Sequence, residues 1–301
     1  MNKVSLVLSI VLLFLTKIHA QETLLKSSFP VRDFFFENDS VFLIKKRHLE
    51  VLDENNEQKE LHFIGGYGIR LFNLGESEIL TVSNELRRDV SSVRFYKKKE
   101  ETINEVFYYK EGNFLDFCLV SDERMFLFST RKNKLVVVSY RNKPQFNIIK
   151  EVDLGSFSRK IFYEMGRIYC ITDNGELYQY NLMDGELLLL YKTKEILTDF
   201  QLKDGIFYIS NIKGEIIKYD SNTEIAHELL RLKDDFVTTS LIHKDNLIFG
   251  TWKGDVYQQS FDYSSSFRKK KVHGKAIYRI LSHEGYFYSC SLDKTFKKWK
   301  I

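Results

Sequence analysis

Two prolines, three cysteines and two tryptophans in 301 residues are low counts, and each shortage closes off a class of protein. Proline is confined to Pro30 and Pro144 and no low-complexity stretch breaks the chain, so nothing marks a linker and the body of the sequence reads as one domain. Cys118, Cys170 and Cys290 are odd in number, lack CxxC spacing and each stand in an apolar strand-like run. That excludes a zinc site and a disulfide framework and leaves buried thiols acting as small hydrophobes. A bridge between Cys118 and Cys170 stays open for an oxidising compartment, since the two fall on neighbouring units of the array described below. His48, His62, His227, His243, His273 and His283 form no HxH or HExxH pattern, so no metal is expected. No nucleophile elbow, phosphate loop or dinucleotide fingerprint occurs, so neither a cofactor nor a catalytic residue is expected.

Long apolar runs are equally scarce. The one present, Val4 to Leu15, follows the basic Lys3 and precedes a polar stretch ending Ile18-His19-Ala20. This is the layout of a secretory signal peptide over residues 1–20, with cleavage expected after Ala20, and the run is too short to span a bilayer. No cysteine follows it, which argues against a lipid anchor, and no second run offers a membrane span. The mature chain is therefore expected to be exported, periplasmic or secreted. Loss of Lys3 and Lys17 lowers the net charge from +4 to +2, which argues against a nucleic-acid partner.

What the sequence has in plenty is a repeat. The polar turns Asn133-Lys134, Asn174-Gly175, Lys213-Gly214, Lys253-Gly254 and Asp293-Lys294 recur at 41, 39, 40 and 40 residues. A period of that size, with four short Val-, Ile-, Tyr- and Phe-rich strands per unit, predicts propeller blades. Turns between the first and second strands fall at Asn38-Asp39, Glu76-Ser77, Asp122-Glu123, Met165-Gly166, Asp204-Gly205, Asp245-Asn246 and Glu284-Gly285, which predicts an all-β, seven-bladed β-propeller over 21–301. The last unit ends at its third strand. The segment Glu22 to Phe29 is expected to supply the missing outer strand and so close the ring without an open edge.

In that last unit His273-Gly274 is followed by Ile277, Ile280, the run Ser289-Cys290-Ser291-Leu292-Asp293-Lys294-Thr295 and then Trp299. The unit resembles a WD40 repeat, and the resemblance implies a structural tetrad of His273, Asp293, Trp299 and a serine, Ser289 or Ser291, with Ser291 taken as the assignment. The other units depart from the pattern: the Trp position holds Ser139, Tyr180, Tyr219 and Gln259 in units three to six. The Asp-rich signature of sialidase-type propellers is not met at Ser291 to Trp299, and two tryptophans are too few for the repeated docking motif of quinone-dependent propellers.

One asymmetry stands out. Turns between second and third strands carry Lys45-Lys46-Arg47, Arg87-Arg88, Arg131-Lys132, Lys213, Lys253 and Lys294, with Asp173-Asn174 in unit four as the exception. By the resemblance these turns share a face around the channel mouth, and Trp252 sits at one tip. Arg47, Arg87, Arg88, Arg131, Lys132, Lys213, Trp252 and Lys253 thus form a candidate interaction face for an acidic protein surface or a polyanionic glycan. The plain alternative is a set of solvated turns in a chain where about one residue in seven is Lys or Arg. Arg268-Lys269-Lys270-Lys271, after Ser264-Ser265-Ser266, reads as protection of an outer edge strand. The expectation is an exported, non-catalytic scaffold that binds a protein partner in a cell-envelope or secreted assembly. The rival is a glycan-binding or carbohydrate-active propeller, which carboxylates converging on the channel would favour.

Overall fold

Strand-forming runs of four to eight residues, cut by turns in which Asn, Asp, Lys or Gly takes a positive φ, give twenty-eight strands, β1 to β28, among the described residues, and no helix. The computed structural model describes residues 21–261 and 267–300. The expected signal peptide and the serine tract 264–266 lie outside that range.

The strands make seven four-stranded antiparallel sheets. Their first strands are β2 (Val31–Glu37), β6 (Tyr67–Asn73), β10 (Phe114–Val120), β14 (Ser158–Glu164), β18 (Leu197–Lys203), β22 (Val237–His243) and β26 (Ile277–His283). Each first strand touches the first strand of the next sheet, and β26 touches β2, so the seven form a closed inner ring. Each sheet is a blade whose faces pack on its two neighbours. Seven hydrophobic clusters fill the seven interfaces, the largest being the Phe- and Val-rich one between blades two and three. Cys118 and Cys170 share the cluster between blades three and four as free thiols. Burial pushes each up to about 12, which keeps them protonated and unreactive.

Closure uses both ends of the described chain. Strand β1 (Gln21–Lys26) pairs antiparallel with β28 (Thr295–Trp299), from Gln21 opposite Trp299 to Lys26 opposite Thr295. The pairing stops at Lys26 rather than Phe29, because the chain bends at Ser28 and Phe29 and Pro30 has no N–H to offer a ladder. Phe29 is thereby released onto the surface, 40% exposed. The outer strand of blade six is Arg268–Lys271, and its Lys269 and Lys271 pair with Asp255 on the adjacent strand.

Antiparallel succession places the turns between first and second strands at one end of every blade and those between second and third at the other, together with the loops linking blades. At the second end the linking loop crosses over the turn. At Gly214 and Gly254, φ is +80° and +86°, and an added Cβ would lie 2.4 Å from the carbonyl oxygens of Asp235 and His273. Both the left-handed conformation and the close approach require glycine there.

Candidate interaction face

The residues singled out in the last blade converge. His273 Nδ1 lies 3.2 Å from Asp293 Oδ2, its Nε2 lies 2.7 Å from Ser289 Oγ, and Trp299 Nε1 donates to the same hydroxyl at 2.8 Å. The serine of this chain is Ser289, not Ser291. Strand alternation points neighbouring-but-one residues to one face, but Ser291 closes the strand, where it donates to the Lys275 carbonyl and accepts from Asp293 N–H. Trp299 is fully buried and stacks on Phe287. Burial draws the His273 imidazole down from 6.5 to about 4, against the opposing pull of Asp293, so the ring is neutral. The arrangement ties the loop entering blade seven to its second and third strands.

The basic residues of the rim are placed differently. Turns between second and third strands hold nine Lys and Arg, namely Lys46, Arg47, Arg87, Arg88, Arg131, Lys132, Lys213, Lys253 and Lys294, against three Asp. All three acids are occupied: Asp89 accepts from Asn113, Asp173 pairs with Arg159, and Asp293 belongs to the tetrad. The bases are not. Apart from Arg88, 3.7 Å from Glu85, none of the nine has a carboxylate partner among the described residues. Lys45 departs from the expectation for its turn, being buried and paired with Glu50 at 2.7 Å.

Trp252 is 50% exposed, its ring stacked on Phe236 at 5.5 Å. Its loop is fixed from below: Trp252 N–H donates to the Phe236 carbonyl at 2.9 Å, and the Asp235 carboxylate accepts from Phe236 N–H and from Lys253 N–H at 3.0 Å. With Lys253, Lys275 and Lys271 it edges a cleft of about 490 Å³ that continues over Ala276 and Leu292. A fixed aromatic beside the ammonium groups of Lys253 and Lys275, which have no carboxylate partner among the described residues, can cover an apolar side chain while the cations meet acidic neighbours.

Sequence reasoning missed a girdle of charge inside the ring. The residue just past the irregularity in each first strand is Asp33, Arg70, Asp116, Lys160, Asp199, Thr239 and Arg279 in blade order. The signs alternate around the ring. Seven is odd, so strict alternation cannot close, and the neutral Thr239 stands where it would fail. Arg279 reaches Asp33 at 3.2 Å, Arg70 Nε reaches Asp116 at 3.1 Å and Lys160 reaches Asp199 at 2.9 Å. Each carboxylate also grips the next blade: Asp33 takes Leu71 N–H, Asp116 takes Ile161 N–H, both at 2.9 Å, and Asp199 takes the Ser240 hydroxyl. Burial pulls Arg70 down, but Asp116 and Asp33 more than offset it, so the guanidinium ends above its ordinary range. The signal was present in sequence: at one fixed place in six of the seven first strands stands a charged residue, and its sign alternates from blade to blade.

Among the described residues no cluster of His, Cys, Asp and Glu has the arrangement to hold a metal ion, and no helix is long and apolar enough to cross a membrane.

No family model matches the chain, and no curated protein matches it either. Solved structures do. The chain is similar to the Saccharomyces cerevisiae protein Sqt1, at TM-score 0.69 and 12% identity over 94% of this chain and 99% of that one. It is similar to the computationally designed Ika8 protein, at 0.68 and 11% over 93% and 98%. It is also similar to the extracellular domain of a putative hybrid two-component system from B. thetaiotaomicron, at 0.75 and 10% over 94% of this chain and 40% of that one. At these identities the likeness concerns the fold, a seven-bladed propeller here.

Proposed function

We propose that this chain is an exported, non-catalytic propeller of the WD40-like type that binds an acidic protein surface through the face carrying Trp252. The observation that carries the reading is the half-exposed indole, stacked on Phe236 and set in a rim whose cations, Arg88 apart, lack carboxylate partners among the described residues. An exposed indole costs solvation free energy unless a partner covers it, and hot spots concentrate in such aromatics. The hydrogen bonds beneath it hold the anchor in place before binding, which lowers the entropic cost of association. The leader-like segment 1–20 supports export, as does the likeness to an extracellular domain. The tetrad of blade seven supports the WD40-like assignment.

The rival enzymatic reading would draw on Asp33, Asp116 and Asp199. Each is 2% exposed or less and committed to a cation and to the neighbouring blade, which leaves no carboxylate free to trade protons with a substrate. The reading is tested by capture from native envelope extract and culture fluid with the wild-type chain and with Trp252→Ala. A partner held by the first and lost by the second, at equal thermal midpoints, is the expected result. Equal capture by both would remove Trp252 from the interface.

A further inference from the structure

A second cavity opens on the same face, across blades one to three and apart from the Trp252 cleft. Its volume is about 420 Å³, within the range of ligand pockets. The apolar lining includes Phe29, Tyr67 and Leu86, 40%, 43% and 50% exposed. Three large apolar groups left this open, on adjoining loops and at the start of β6, form an exposed patch that only Lys46 and Arg47 partly overlie. The rings are also held: Lys46 Nζ sits 3.9 Å above Phe29 and the Arg47 guanidinium 5.4 Å from Tyr67.

The charge of the lining has one sign. Arg32, Lys46 and Arg131 border the cavity and no Asp or Glu does. None of the three has a carboxylate partner among the described residues; the Arg32 guanidinium lies over the Tyr278 ring at 4.1 Å. Asn84, the polar side chain at the inner wall, has its hydrogen bonds taken up by Phe114 and Ser91. The site therefore offers apolar surface and positive charge, with little for a neutral polar ligand to bond.

We propose that this cavity takes a short acidic peptide segment carrying one aromatic or aliphatic side chain. The side chain covers Phe29, Tyr67 and Leu86, and flanking carboxylates meet Arg32, Lys46 and Arg131, with Arg able to bind a carboxylate through two N–H groups at once. A sulfated glycan would satisfy the cations but leave the apolar floor uncovered, which is why a peptide is favoured. The inference rests on the reading of this face as a binding platform and adds to it a second anchor and the chemistry of what docks there.

The test titrates the full chain, by calorimetry and by NMR, with blocked pentapeptides of sequence Asp-Glu-Phe-Glu-Asp, Asp-Glu-Ala-Glu-Asp and Lys-Lys-Phe-Lys-Lys, and with a heparin oligosaccharide. The acidic Phe peptide should bind, the Ala version about tenfold more weakly and the basic one not at all. The pair Lys46→Glu with Arg131→Glu should weaken the first peptide about tenfold or more, and so should Leu86→Ala, which spares the charges. Met165→Glu, at the opposite end of the blades, should change nothing. Equal binding of the Phe and Ala peptides, or heparin binding tighter than the Phe peptide, overturns the proposal. If the peptides fail while Trp252→Ala still abolishes capture of the native partner, the cavity falls and the platform stands. If the peptide binds as described but capture ignores Trp252, the platform reading falls and the cavity stands.

Discussion

The two ends of the blades put their charges to different use. At the Trp252 end, nine bases and three acids stand in the turns between second and third strands, and it is the acids that are tied into the fold. At the other end, turns between first and second strands hold seven acids and two bases. Three bases of neighbouring strands and loops near that end are tied down: Lys98 to Glu37, Lys143 to Glu78 at 2.8 Å, and Arg141 to the Glu123 carbonyl at 3.0 Å. A cavity of about 660 Å³ there has the paired Glu78 and Lys143 and the satisfied Arg141 in its wall. A charge with a partner in the fold holds a loop in place. One without a partner is free to act on something outside: at the Trp252 end these are mostly bases, whereas at the other end Asp39, Glu76, Asp122 and Asp204 have no cationic partner among the described residues, so the two ends present opposite charge.

Both ends hang on the same inner ring, so the largest expected effect strikes them together. Asp116→Ala leaves Arg70 without its partner in a buried site and Ile161 N–H without an acceptor. It should cost about 3–5 kcal/mol in urea unfolding, the penalty for breaking rather than replacing a buried pair. Trp299→Ala should fall in the same range, about 3–5 kcal/mol, as a large truncation in a filled core.

Protonation of the tetrad should be visible in stability. His273 is held near 4 in the fold and titrates at 6.5 when unfolded, so between those values the unfolded chain binds the extra proton. Stability present above pH 6.5 should therefore be lost as pH falls towards 4, by up to about 3 kcal/mol from this group. Urea midpoints at pH 7 and pH 4.5 should differ less in His273→Asn than in the wild type.

Smaller effects separate the ends themselves. Trp252→Ala should weaken partner binding by about 2 kcal/mol or more while leaving the thermal midpoint alone, and Met183→Ala, an exposed residue at the far end, should do neither. Lys143→Met should lower stability by about 1 kcal/mol because Glu78 loses its partner, whereas Arg131→Met should stay within about 0.5 kcal/mol.

The fold was legible because its signals are local. A turn every 40 residues or so fixes strand boundaries, and the missing last strand fixes how the ring closes. The expected and observed turns coincide from Asn38-Asp39 to Glu284-Gly285 within a residue or two. What could not be read was whatever depends on how the blades meet. Choosing Ser289 over Ser291 needs the direction of a side chain relative to a loop sixteen residues upstream. The cavity at Phe29 and Tyr67 joins three blades whose residues are distant in sequence. The girdle lies between these cases. Asp33 to Arg279 were visible as charges in apolar strands, but each alone looks like a surface residue, and only alignment of the seven first strands shows the alternation.

The most direct measurement is partner affinity across a salt series for two charge-altered variants, one at each end. Arg87→Glu with Arg131→Glu should weaken binding and flatten its salt dependence, because screening acts on the attraction those bases supply. Met165→Glu with Met183→Glu should bind as the wild type does. Retained affinity in the first variant and lost affinity in the second would contradict the account and move the interface to the acidic end.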